Sequence, residues 1–302
     1  MGRNGQPSGQ PEPRPVIRDL EFRRTAGSPP GLELVNLAEL DRRARNHGND
    51  PYAPLRPAFH QLVAVRSGSL TVSVDFTTHT LDAGSWLWIR PGQVQCWGRD
   101  LPVSDGVVVA FPAGFPDATT VAAAFARPPY APGPVRPAGT DAEGLRRALD
   151  HLRYEYDAMA QLPLESHVQA LRHLLAVLLL RLAKARGAAP DAPVSNQAFR
   201  RFHAAVERDF AVTRRVEDYA AALGYSPRTL TRATTAATGM SAKRYIDERV
   251  VLEAKRELAH SGLPATAIAA RLGFTDPSDF TKFFRQRTGT TPAAFRQQAA
   301  GV

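Results

Sequence analysis

Cysteine occurs once in 302 residues, at Cys96, so the chain can form no internal disulfide and no cysteine-rich zinc site. A lone cysteine of this kind reads as a small buried hydrophobe rather than a reactive thiol. Long apolar runs are missing too: none approaches the roughly 18 residues that cross a bilayer. The opening MGRNGQPSGQPEPRP has none of the apolar character of an export signal. These absences predict a cytoplasmic chain without membrane contact. Residues 1–16 read as a disordered arm, being glycine, proline and polar groups without periodicity. Metal-binding chemistry is scarce as well. The strand-rich part offers His60 and His79 but no H-x-H pair, and no glutamate stands between Glu39 and Glu143. A metal enzyme needs several such ligands converging on one ion. The expectation is a non-enzyme with no catalytic residues, no metal and no cofactor.

What is present is an ordinary globular composition, 43% apolar and 22% charged, in a chain long enough for two domains. The net charge of +9 is unevenly spread: from residue 196 onward 17 Lys and Arg face 10 Asp and Glu, leaving the first 195 residues close to neutral. A basic C-terminal third suits a polyanionic partner, and double-stranded DNA is the obvious one.

The order of patterns predicts an α+β chain. Residues 17–140 alternate short apolar runs with turn residues: LVAV ends at Ser67-Gly68, LTVSVDF alternates, Asp82-Ala83-Gly84 turns, and SWLWIRP precedes Pro91-Gly92. That rhythm indicates a small β-barrel or sandwich. Residues 141–186 are helical. There Leu164, Val168, Leu171, Leu175, Leu178, Leu182 and Ala185 recur at steps of three and four, and Leu174, Val177 and Leu179 widen the stripe. One apolar face is expected to cover the barrel and another to meet a second copy, with Leu171, Leu175, Leu178 and Leu182 as the homodimer contact. Residues 187–197 read as a linker, and 198–302 as an all-helical domain.

Within that last domain one pattern occurs twice. Leu223-Gly224-Tyr225 followed by SPRTLTRATTAATG corresponds to Leu272-Gly273-Phe274 followed by TDPSDFTKFFRQRTG, at an offset of 50 beyond the turn. Each unit has a small-residue helix, a glycine turn and a capped second helix, which is the grammar of a helix-turn-helix. Ser226 and Asp276 are the expected caps, each with proline at the first helical position. Asp279 lies where it favours the positive helix end. Helical spacing separates a packing stripe of Leu230, Ala233, Thr234 and Ala237, matched by Phe280, Phe283 and Phe284, from a polar stripe. The polar stripe holds Arg228, Thr231, Arg232 and Thr235, matched by Ser278, Thr281, Lys282 and Arg285. Such groups suit the edges of bases in a major groove. A helix of about 20 residues between Ser241 and Gly262 would hold the two units roughly 30 Å apart.

These residues resemble the DNA-binding domain of the AraC/XylS family of bacterial transcription regulators. The likeness is carried by Ile268-Ala269, Gly273-Phe274, Asp276-Pro277-Ser278, Phe280, Phe283-Phe284, Gly289, Thr291-Pro292 and Phe295-Arg296, with Arg249, Ala254 and Leu258 of the joining helix. One departure is Ala242, where the family commonly has proline. By the resemblance, Arg228, Thr231 and Arg232 are base readers of the first unit, with Ser278, Thr281 and Lys282 at the equivalent places. Ser226, Thr235 and Arg285 are phosphate candidates. The resemblance also implies an N-terminal cupin-like sensor, looser in its match and resting on Gly84 and Pro91-Gly92. Its small-molecule effector is unknown, and Arg56, His60, Gln61, Arg90, Gln93 and Gln95 are the polar groups that could meet it, with Trp86, Trp88 or Trp97 as apolar walls. A filled barrel serving only as a scaffold is the alternative. Family habit implies activation of transcription through RNA polymerase.

Overall fold

A computed structural model describes residues 17–299 apart from 47, 49, 118–119, 121–123, 125–132, 159–161 and 187–193. The predicted arm and most of the predicted linker therefore lie outside the described residues.

The N-terminal domain is two sheets. One has the order β1 (Arg18–Leu20), β3 (Leu55–Pro57), β8 (Gln95–Trp97), β5 (Ser69–Val74), β6 (Thr77–Asp82). The other runs β2 (Glu33–Asn36), β9 (Asp105–Phe111), β4 (His60–Ser67), β7 (Trp86–Ile89). β1 pairs with β3 in parallel and the remaining ladders are antiparallel. A helix α1 (Leu37–Asn46) follows β2. Alternation along the strands sends Val63, Val65, Leu70, Val72, Val74, Leu81, Leu87, Ile89, Trp97 and Val108 into one apolar cluster between the sheets. The opposite face of the second sheet, with Leu62, Ala64, Trp86, Trp88, Val107, Val109 and Phe111, packs beneath two helices, α2 (Gly139–Asp157) and α3 (Leu164–Ala185). Strand β4 is buried along its first six residues because both its faces are covered.

This packing corrects the expected homodimer contact. Leu171, Leu175, Leu178 and Leu182 are fully buried within the chain, facing the sheet and α2. A surface of 0% exposure cannot meet another molecule. The large apolar groups that α3 leaves outside are Leu164 at its start and, further along, Val177 and Leu180, 56%, 44% and 43% exposed.

The C-terminal domain begins with α4 (Val194–Asp209), inside the segment expected to be linker. It continues with α5 (Val216–Leu223), α6 (Pro227–Thr238), α7 (Ala242–His260), α8 (Ala265–Arg271), α9 (Pro277–Thr288) and α10 (Pro292–Ala299). Two aromatic-rich cores form. The first gathers Phe199, Phe202, Tyr219, Leu230 and Ala233 on Ala242, Tyr245 and Ile246 of α7. The second gathers Ile268, Leu272, Phe274, Phe280 and Phe284 on Val250, Ala254 and Leu258 of the same helix. Each fully buried side chain of this size stabilises by about 1.5–3 kcal/mol relative to exposure.

Buried His60 and half-buried His203 each have an aromatic partner. His60, on the helix-covered face, accepts a hydrogen bond at Nδ1 from Trp88 Nε1 at 3.3 Å and stacks on Phe111. His203 of α4 lies 2.9 Å from the Tyr245 hydroxyl. Burial, reinforced by Arg90, depresses the His60 pKa to about 3; burial depresses that of His203 to about 4 against the opposing pull of Glu207.

Leu175→Ala should cost about 2–5 kcal/mol of unfolding free energy, and Leu180→Ala about 0.5 kcal/mol or less, in equilibrium urea denaturation. Below the ordinary histidine value of 6.5 the unfolded chain binds protons that folded His60 and His203 refuse. Their contribution to stability is therefore complete above that pH and lost as pH falls through the window toward about 4 for His203 and about 3 for His60. Urea midpoints should fall as the solution is taken from about pH 7 to about pH 5, and His60→Gln together with His203→Gln should flatten the slope.

Candidate nucleic-acid interface

The second helix of each unit, α6 and α9, is held by local chemistry visible in its first residues. Ser226 accepts from the backbone N–H of Thr229 at 3.1 Å, and Asp276 from that of Ser278 at 2.7 Å. The hydrogen bond from the Ser278 N–H keeps the Asp276 carboxyl below its ordinary range. Pro227 and Pro277 open the two helices, where a missing N–H costs nothing. The turn before α6 ends α5 with Gly224 in the left-handed region at φ 70°. In the second unit Gly273, at φ 73°, has a further constraint: an added Cβ would lie 2.0 Å from the Ala211 carbonyl oxygen. The backbone of the first unit's approach thus rests directly on the turn of the second.

Two ties reinforce that contact across the units. The Arg214 guanidinium sits 3.7 Å from the centre of the Phe274 ring and donates to the carbonyls of Leu272 and Gly273 at 3.1 and 3.2 Å. Asp247 of α7, whose side chain is fully buried, takes Lys243 at 2.6 Å and also pairs with Arg287 of α9. Sequence reasoning missed Arg214, Asp247 and Arg287. The contacts that Arg214 and Arg287 make across the units span 40 or more residues, so no local spacing signals them.

The basic residues separate into two groups. Arg249 bonds Glu207 and Glu253, Arg256 bonds Asp75 and Glu253, and Arg271 faces Glu257. Arg228, Arg232 and Arg285 are exposed and join no described residue by an ion pair or side-chain hydrogen bond. Ser278, Thr281 and Lys282 are exposed beside them, while Thr231 is half-buried. Some predicted groups already have occupations. Thr281 donates to the Pro277 carbonyl at 3.0 Å, Thr235 to that of Met240 at 3.2 Å, and Lys282 lies 3.6 Å from Asp279. The first unit therefore presents two unengaged guanidinium groups, Arg228 and Arg232, where the second has Ser278 and a lysine shared with an acid, and keeps one unengaged guanidinium, Arg285, a turn further on. Along α7 the units are separated by 19 residues, about 28 Å of helix.

The six polar groups assigned to an effector do not converge. Gln61 and Gln95 share strand parity with Val63 and Trp97 and so point between the sheets; each is at least 96% buried with a side-chain oxygen lacking a hydrogen-bond partner. His60 and Arg90 lie on the other face, where the guanidinium groups of Arg90 and of Arg186 are each 5.7 Å from the Trp88 ring. Arg56 and Gln93 face the C-terminal domain: Arg56 pairs with Glu253 at 3.1 Å, and Gln93 donates to Asp75 at 2.9 Å. Trp86 and Trp88 belong to the helix-covered face and only Trp97 to the interior. Burial raises the Cys96 thiol to about 11, leaving it protonated and unreactive. Among the described residues no group of three or more His, Cys, Asp or Glu could hold a metal ion, and no helix is long and apolar enough to cross a membrane.

Comparison with known proteins agrees with this geometry. The family described as HTH_18, a helix-turn-helix domain, matches residues 219–298. The HTH-type transcriptional activator RhaS of Klebsiella pneumoniae (strain 342) is 31% identical over 147 residues, covering 49% of this chain and 52% of RhaS. The HTH-type transcriptional activator RhaR of Cronobacter sakazakii (strain ATCC BAA-894) is 41% identical over 61 residues, 20% of this chain and 22% of that protein. The chain thus spans about half the length, or less, of these curated relatives. Among solved structures, unsaturated fatty acid bound ToxT from Vibrio cholerae strain SCE256 is 12% identical, with 93% of this chain and 99% of ToxT covered at a TM-score of 0.39. A likeness that loose carries no argument here. The curated relatives are regulators rather than enzymes. Residues 219–298 of this chain thus form a helix-turn-helix domain similar to the one these transcriptional activators carry.

Proposed function

We propose that this regulator reads a bipartite DNA site by placing α6 and α9 in successive major grooves on one face of the duplex, and that it acts as an activator. The observation that carries the reading is the sorting of arginines: Arg228, Arg232 and Arg285 stay exposed and unengaged while their neighbours are spent on folding. The helix joining the units, about 28 Å long, is close to the ~34 Å repeat of the major groove. In this reading Arg228, Thr231 and Arg232 read base edges, with Ser278, Thr281 and Lys282 as their counterparts. Ser226, Thr235 and Arg285 meet phosphates. The second unit is the weaker reader, because Asp279 competes for Lys282. The protein works in the cytoplasm and contacts RNA polymerase at the promoter.

In the same reading the N-terminal domain regulates the DNA-binding domain in response to a small molecule. One observation supports the alternative that it is a scaffold without an effector: the space between its sheets is occupied by apolar side chains. A homodimer is proposed through the outer face of α3. There a recess of about 790 Å³ between α2 and α3, lined by Gly144, Ala148, Leu174, Val177 and Arg181, offers apolar surface beside charged rims.

Arg232→Ala should cost about 1–3 kcal/mol at one base position in binding titrations across a panel of sites. Arg285→Ala should weaken all sequences alike and reduce the salt slope by about one. Unchanged affinity and base preference in Arg232→Ala would remove the groove assignment. Val177→Asp should shift sedimentation from dimer to monomer; an unaltered dimer would place the contact elsewhere.

A further inference from the structure

The β5–β6 turn is built against local preference. Val74 pairs with Thr77, so Asp75 and Phe76 are the two loop residues, and both have positive φ, 46° and 69°. Such turns ordinarily carry Asn-Gly or Asp-Gly. Aspartate tolerates the left-handed region, but a phenylalanine is a poor occupant of it. What Phe76 gains lies in the other domain. Its ring stacks on His260 at 5.7 Å and meets Phe295 edge-on at 5.9 Å, and Phe295 in turn packs on Phe284 of the second core at 5.7 Å.

Asp75 is the better-anchored half of the turn. Its carboxylate accepts from the Val94 N–H at 3.0 Å and from Gln93 Nε2 at 2.9 Å, both in the β7–β8 connection. The Gln93 carbonyl oxygen is itself fixed by the Arg90 N–H at 2.8 Å. The Pro91-Gly92 motif thereby acquires a structural purpose, positioning the groups that orient Asp75. From α7, Arg256 closes on the same carboxylate with Nε at 2.8 Å and Nη2 at 2.7 Å. Arg256 is 3% exposed, so this fork is shielded from water. Glu253 extends the network, bonding Arg256 at 3.1 Å and Arg56 of β3 at 3.1 Å. Burial would raise the Glu253 pKa, yet the surrounding arginines hold it below the usual carboxylate value.

The apolar share of this contact is small, since Phe76 remains 42% exposed. Directional charge pairs, rather than a sealed hydrophobic face, therefore define how the domains meet. Such an interface has one closed geometry and opens into water when a partner is lost, because a buried charge without its counterion is costly.

We propose that the β5–β6 turn is a latch that fastens the second helix-turn-helix unit to the N-terminal domain, with the Asp75–Arg256 pair as its bolt, and that breaking the pair releases the DNA-binding domain into an open arrangement. The latched state leaves Arg228, Arg232 and Arg285 exposed, so the device sets where the domain points and does not cover its reading helices. It does not depend on whether an effector exists.

The test is a distance measurement by double electron–electron resonance. Spin labels go on cysteines introduced at Val103 and Val212, 84% and 81% exposed, in a Cys96→Ser background. The parent should give one narrow distribution. Asp75→Asn retains a residue that accepts the turn geometry but removes the charge, and should raise the open-to-closed ratio by about 30-fold or more. Arg256→Gln should do the same, and the double variant should open no further than either single one. Circular dichroism checks that each variant is folded. Should Arg256→Gln disturb the second unit, Asp75→Asn, which lies wholly in the N-terminal domain, supplies the reading. A narrow distribution unchanged by Asp75→Asn overturns the latch, as do strictly additive effects of the two substitutions.

Discussion

Helix α7 is the element on which the rest of the structure depends. Its 19 residues turn one face to the first core through Ala242, Tyr245 and Ile246, and another to the second through Val250, Ala254 and Leu258. A third face carries Glu253 and Arg256 to the N-terminal domain. The 3.6-residue repeat permits this division because successive turns present different sides to different neighbours. One consequence is mechanical. With both cores sharing a helix, and with Gly273 against Ala211 and Arg214 on Phe274, α6 and α9 are tied to each other through a common support.

The same economy governs charge. A basic domain invites the view that every arginine awaits phosphate, but most of those on α4 and α7 are committed to carboxylates or rings within the fold. Arg249, for example, lies 3.9 Å from the Phe210 ring while bonding Glu207 and Glu253. Only after this internal demand is met does the unengaged set become small, and it falls on the two helices that the repeat had already singled out. Net charge alone could not make that distinction, because it counts paired and unpaired groups equally.

The N-terminal domain shows where strand reading stops. Turn residues and alternation were enough to announce short strands, and they occur near the expected places. Parity, however, says only that His60 and Gln61 face opposite ways. Because one sheet is covered on both sides, both directions are buried, and the sequence contains nothing that ranks them. The six polar groups assigned to one cavity consequently divide among an interior, a helix-covered face and a domain contact. The leucines of α3 failed as dimer contacts for a related reason: an apolar stripe announces burial without naming the partner, and here the partner is the chain's own sheet.

The sequence by itself determined the features that depend on near neighbours: two capped helix-turn-helix units, their glycine turns, their packing and polar stripes, and the helix between them. Each follows from residues a few positions apart, whose preferences act before any distant contact forms. Only the tertiary structure decided which arginines remain available, which way the polar groups of the sheets point, and how Asp75 meets Arg256 across 181 residues. Those outcomes rest on pairings between segments that local propensity cannot bring together, and a buried charge is tolerable only once its counterion has been placed beside it.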